Sequence, residues 1–190
     1  MLRIALAGQP NCGKSTIFNH LVGYKAHTSN LPGTTVECVA SEALIGGTLA
    51  EVIDLPGTYS LTSLDKAETE TRNFLVAGQV DAVLNVIDAS LLSRSLELTL
   101  QLLEMGIPLV VCLNMEDEAK RKGITISTES LSEKLGVPVV SAVAVRGLGV
   151  KEAAAQAAKV AREKPAVPSP TYSADVEAAI SELAEKLEGG

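Results

Sequence analysis

Short apolar runs alternate along this chain with stretches whose apolar residues recur every three or four positions. Residues 2–7, 36–45, 48–53, 82–88, 108–113 and 137–143 follow the first pattern and read as strands. Residues 14–21, 66–77, 92–105, 116–122, 129–135 and 150–162 follow the second and read as helices. A run such as Ala82-Val83-Leu84-Asn85-Val86-Ile87 is almost unbroken by polar residues, which suits a strand covered on both faces. Gly46-Gly47 separates two neighbouring strands and predicts a hairpin, so one strand runs antiparallel to the others. The pattern therefore predicts an α/β fold with a mostly parallel six-stranded sheet, one antiparallel strand and helices on both faces. Residues 1–163 make this domain, and residues 164–172, rich in proline, read as a stiff linker. Residues 173–190 hold a short C-terminal helix with Val176, Ala179, Ile180, Leu183 and Leu187 along one stripe. A lone helix of that length is marginal in water. Its stripe is expected to pack on the domain, on a second copy or on a further segment.

Chemistry enters at the end of the first strand. Gly8-Gln9-Pro10-Asn11-Cys12-Gly13-Lys14-Ser15 is a complete G-x-x-x-x-G-K-S loop between a strand and a helix that begins Thr16-Ile17-Phe18. Backbone N–H groups of Asn11 to Thr16 would converge on a phosphate chain at a helix N-terminus. Lys14 would reach the outer phosphates, and Ser15 would hold Mg²⁺. Glu51-Val52-Ile53-Asp54-Leu55-Pro56-Gly57 is a strand leading into D-x-x-G, with Asp54 for Mg²⁺ and the Gly57 N–H for the γ-phosphate. In Asn30-Leu31-Pro32-Gly33-Thr34-Thr35-Val36-Glu37, Thr35 is the candidate for the Mg²⁺ and γ-phosphate contact, with Gly33 and Thr34 beside it. Lys14, Asn11, Thr35 and Gly57 form the expected catalytic set.

Asn114-Met115-Glu116-Asp117 follows an apolar strand and has the N-x-x-D form that reads guanine. The Asp117 carboxylate would accept both the N1 and N2 protons of guanine, and adenine offers no such pair. A reader of this kind rejects the wrong base by roughly 10⁴-fold, because its polar groups are otherwise left unpaired. Met115 stands where a lysine stem usually covers the base, which predicts weaker affinity and faster exchange. Glu116 and Glu118 read as helix-start charges. Gly147-Leu148-Gly149 fixes the register of a last base-contacting loop at Val143, Ala144 and Val145, with the Ala144 N–H as the donor to guanine O6. Taken together these motifs make the fold a Ras-like P-loop GTPase with GTP or GDP as ligand.

Composition narrows the partners. A formal net charge of −7 argues against nucleic acid or an acidic membrane surface. Cys12, Cys38 and Cys112 have no metal-binding spacing and read as core thiols of a reducing compartment. His20 and His27 have no Cys or His at ligand spacing, and Arg94 and Arg146 read as surface residues. No apolar run approaches the roughly 20 residues that span a bilayer, so the chain reads as cytosolic.

The loop G-x-P-N-x-G-K-S, the N-x-P-G-x-T-V-E stretch, D-L-P-G-T-Y-S-L (residues 54–61) and N-M-x-D together resemble the cytosolic G domain of ferrous iron transport protein B, over residues 1 to about 163. The resemblance implies a switch on the cytoplasmic face of the bacterial inner membrane, regulating ferrous iron uptake through a membrane transporter domain of the same polypeptide. It also implies that Asn11 coordinates K⁺ as well as lining the phosphate site. Thr58 stands where Ras-type proteins carry a water-orienting Gln, and neither switch segment contains Arg. A fixed K⁺ would supply the charge that an arginine finger supplies elsewhere. The alternative for Asn11 is a side-chain-to-backbone bond that merely closes the loop. The expected enzyme is a slow, Mg²⁺-dependent, K⁺-activated GTPase. Two other functional classes stay open. An RNA-modification or ribosome-assembly GTPase shares the loop, and a non-hydrolysing module would use GTP only as structure. A nucleotide-dependent homodimer, or one that swaps the C-terminal helix, is a further expectation.

Overall fold

The computed structural model describes residues 1–23, 27–30, 37–62 and 66–188. The predicted strands are β1 (Leu2–Gly8), β3 (Glu37–Ile45), β4 (Thr48–Asp54), β5 (Ala82–Asp88), β6 (Leu109–Asn114) and β7 (Val139–Ser141), joined at one edge by a short β2 (His27–Asn30). The order β2-β3-β4-β1-β5-β6-β7 makes a seven-stranded sheet. β3 is antiparallel to both neighbours, so it alone opposes the common direction. β2 adds a strand to the expected six. Its four residues, His27-Thr28-Ser29-Asn30, carry no apolar pattern, and it sits at the edge, where only one neighbour has to be satisfied.

Alternate residues of β1 feed two cores. Ile4 and Leu6 point to one face, packed by Ile17 and Phe18 of α1 (Lys14–Val22) and by α6 (Val150–Glu163). Ala5 and Ala7 point to the other, packed by Phe74 and Leu75 of α2 (Lys66–Val76) and by Leu98, Leu102 and Leu103 of α3 (Leu92–Glu104). Both faces of the central strands are thereby dry, as a parallel sheet requires. Ala153, Ala154, Ala157, Ala158 and Ala161 line the buried side of α6, so that helix lies close on the sheet. Two short helices, α4 (Glu116–Arg121) and α5 (Thr128–Leu135), flank β6 and β7.

Residues 164–173 are irregular, and they lie on the domain rather than away from it. Val167 packs against the second core, and the Tyr172 hydroxyl donates to Glu104 at the end of α3. α7 (Ala174–Glu188) follows, and its stripe stays in solvent: Val176, Ile180, Leu183 and Leu187 are 40–83% exposed. Among the described residues no helix is long and apolar enough to cross a membrane.

Candidate functional site

The carboxyl ends of β1, β4 and β6 open onto one cleft of about 530 Å³, where an open α/β sheet binds its ligand. Its lining includes Asn11, Gly13, Lys14, Ser15, Thr16 and Gly57 at one end. Asn114, Met115, Asp117, Val143, Ala144 and Val145 line the other. Gly8 and Cys12 belong to the same loop, and both are buried behind it. Thr35, Gly33 and Thr34 lie outside the described residues.

At the phosphate end the Lys14 ammonium contacts the Asp54 carboxylate, with both side chains buried. Ser15 Oγ donates to the second Asp54 oxygen at 2.9 Å. Buried charges must be paired in this way, and a bound phosphate and cation would have to take over these bonds. A hydroxyl and a carboxylate side by side are the hard oxygen donors Mg²⁺ accepts, usually completed by phosphate and water. Gly13 has φ 90°, and a Cβ there would stand 2.3 Å from Asn114 Nδ2, so only glycine lets the loop lie against Asn114. Asn11 has φ 64°, a left-handed conformation that Asn tolerates. Asn11 is exposed and lines the cleft.

At the base end Asn114 is 2% exposed and acts as a rivet. Its Nδ2 donates to the Cys12 carbonyl at 2.8 Å, and its Oδ1 accepts from the Ala144 N–H at 2.9 Å. One amide thus joins the phosphate loop to the loop after β7. Asp117 sits in the first turn of α4, where the helix dipole favours a carboxylate. Met115 caps that helix at φ 59°, and its Cε lies 4.0 Å from where a Gly13 Cβ would be, so an apolar stem still covers this wall. Glu116 is held below the usual carboxylate range chiefly by Lys120, 2.9 Å away.

A sequence profile of ferrous iron transport protein B matches residues 2–157. The chain belongs to that family. It is 43% identical over 154 residues to the Fe(2+) transporter FeoB of Escherichia coli, a match covering 79% of the chain and 20% of that protein. It is 42% identical over 193 residues to an Fe(2+) transport protein A/Fe(2+) transporter FeoB fusion protein of Porphyromonas gingivalis, covering 98% of the chain and 23% of that protein. The chain therefore spans about a quarter or less of the length of these relatives. Among solved structures, an S. thermophilus NFeoB N11A mutant bound to mGDP superposes with TM-score 0.91 at 38% identity, covering 97% of this chain and 71% of that one. The G domain of the T. maritima FeoB iron transporter superposes with TM-score 0.78 at 38% identity, covering 85% and 99%.

Within this family fold one expectation needs correcting. The Ala144 N–H, expected to face guanine O6, is committed to Asn114. The Val143 N–H is likewise committed to the Leu148 carbonyl at 3.0 Å. Of the three amides only that of Val145 is without a bond among the described residues, and Val145 is 78% exposed. Sequence spacing locates such a loop but cannot say which of its amides the fold has already used. Ser141 lies within β7, paired beside Leu113, and does not line the cleft.

Thr58, in the place of a water-orienting Gln, is 3% exposed and turned inward. Its hydroxyl shares one proton between the Ser60 carbonyl at 2.5 Å and Glu68 at 3.1 Å. Burial pushes the Cys12 thiol up to about 11 and the Cys112 thiol up to about 12, so neither is a nucleophile at neutral pH. Among the described residues no three His, Cys, Asp or Glu side chains cluster as a metal site would need.

Proposed function

We propose that this chain binds Mg²⁺·GTP and hydrolyses it in a K⁺-assisted reaction, and that the GTP cycle controls ferrous iron passage through the membrane part of a longer protein. The observation that carries the reading is one cleft lined at one end by Lys14 and Ser15, both bonded to the buried Asp54, and at the other by Asn114 and Asp117. The family membership extends it to iron, since the relatives are named as Fe(2+) transporters. The RNA-directed alternative shares the loop but not the family.

In this reading Asp117 accepts the N1 and N2 protons of guanine, and the Val145 N–H donates to O6. Lys14 leaves Asp54 for the outer phosphates, and Ser15 and Asp54 are the residues that would hold Mg²⁺. Asn11 and the segment around Thr35 would hold K⁺. The chemistry the two cations supply when bound is neutralisation of charge on the transferring phosphoryl group. The Gly57 N–H steadies a γ-phosphate oxygen. Thr58, with its hydroxyl committed inward, leaves the attacking water to backbone groups, which accounts for a slow intrinsic rate. In this reading the chain works on the cytoplasmic side, and the exposed α7 stripe is open to a further segment or to a second copy.

Steady-state GTP hydrolysis in K⁺ against Na⁺ buffers tests the mechanism. Turnover about tenfold or more higher in K⁺, with that response lost in Asn11→Ala, is the expected result. Equal turnover in both buffers contradicts it.

A further inference from the structure

We infer that α3 positions the Gly57 segment for hydrolysis through two side chains, Gln101 and Arg94, neither of which reaches the nucleotide cleft. This rests on the GTPase reading above. Gln101 Oε1 accepts the Leu61 N–H at 2.6 Å. The Arg94 guanidinium lies 4.4 Å above the centre of the Tyr59 ring, within the range of a cation–π contact. Seven residues apart, the two lie on the same face of α3 about two turns, or roughly 10 Å, from each other. Together they hold residues 59–61 at two points. Arg94, read from sequence as a surface residue, is thus engaged at both its ends, because its carbonyl also accepts Gln9 Nε2 of the phosphate loop at 2.7 Å.

The helix that bears these two groups is itself fixed to the strands beneath the cleft. Thr99 Oγ1 donates to Asn85 Oδ1 of β5 at 2.6 Å, both residues fully buried, and Asn85 Nδ2 donates to the Ala7 carbonyl of β1 at 3.4 Å. A helix tied to β1 and β5 is tied to the strand that carries the phosphate loop. On its upstream side the segment is held by that loop: the Thr58 N–H donates to the Gly8 carbonyl at 3.1 Å, and a Cβ on Gly57 would come within 3.1 Å of Pro10. Gly57 therefore sits between two anchors, and the anchor on α3 is made of side chains that can be removed without touching the cleft. The Leu61 amide needs an acceptor because its side chain is buried in the core. Gln101 is that acceptor. Loss of orientation of about an ångström at a reacting group is enough to slow a reaction many-fold.

The test compares Gln101→Met, which keeps the length of the side chain and loses the acceptor, with Gln101→Glu, which keeps an acceptor oxygen. GTP turnover and exchange protection of the Leu61 amide are measured for each. In Gln101→Met, kcat is expected to fall about tenfold with KM within twofold of the parent, and Leu61 to lose protection. Gln101→Glu is expected to restore both. Arg94→Ala is expected to lower kcat about threefold, with Arg94→Lys near the parent. The inference is overturned if kcat of Gln101→Met equals the parent, if its loss lies in KM alone, or if the Met and Glu variants are impaired alike. A parent chain without GTP turnover contradicts the proposed function instead, and Leu61 protection that does not differ between Gln101→Met and Gln101→Glu then overturns the anchoring by itself.

Discussion

The two ends of the cleft are built on opposite plans. At the base end the reader is finished before any ligand arrives. Asn114 has spent its amide on the Cys12 carbonyl and the Ala144 N–H, while Asp117 and Val145, which line the cleft, keep the carboxylate and the N–H without a bond among the described residues. At the phosphate end the binding groups are spent on one another, Lys14 and Ser15 both on Asp54. Ligand binding there exchanges internal bonds for external ones, and an exchange returns less free energy than a new bond does. Under the proposed function the contrast gives selectivity to the base end and switching to the phosphate end. A group that must let go of a partner to bind is also a group whose partner reports the binding.

The sharpest way to break this contrast is to remove the rivet at the base end. Asn114→Ala leaves a buried carbonyl and a buried N–H unpaired, which should cost about 2–4 kcal/mol in a urea melt. Guanine-nucleotide affinity should fall by about tenfold or more alongside it, since both loops move. An Asn114→Ala chain with the parent's stability would mean that the base end is not prebuilt.

A smaller effect comes from the thiols behind the loop. Cys112 is raised from 9.0 to about 12 by burial, with Cys12 adding to the shift. A thiol whose folded pKa is raised stabilises the fold fully below its unfolded value and loses that contribution as pH rises toward the folded value. The window therefore runs from about pH 9 upward. By about pH 10.5 the loss should reach about 2 kcal/mol, and Cys112→Ala should flatten that part of the stability profile. A profile identical in Cys112→Ala would remove the dry wall behind the base end from the account.

Much of this was legible in the sequence, for a physical reason. Phosphate loops, D-x-x-G and N-x-x-D are strand ends whose residue types are dictated by what they must bind, and the strands that carry them are apolar because both faces are covered. The unread parts are those where residue type carries no signal. His27-Thr28-Ser29-Asn30 is polar because an edge strand need not be otherwise. The choice of Val145 over Ala144 depends on backbone amides, which every residue has. Gln101 and Arg94 look like a solvated helix face until Leu61 and Tyr59 are brought onto them by the fold.

In the proposed function the prebuilt end of the cleft reads guanine through Asp117. Competition of GDP and ADP for the chain, measured by calorimetry for the parent and for Asp117→Ala, tests it most directly. The account predicts a preference for GDP of roughly 10³-fold or more in the parent. In Asp117→Ala that preference should collapse to within about tenfold, because the phosphate end binds either nucleotide alike. Equal binding of GDP and ADP by the parent, or a guanine preference that survives Asp117→Ala, would contradict it.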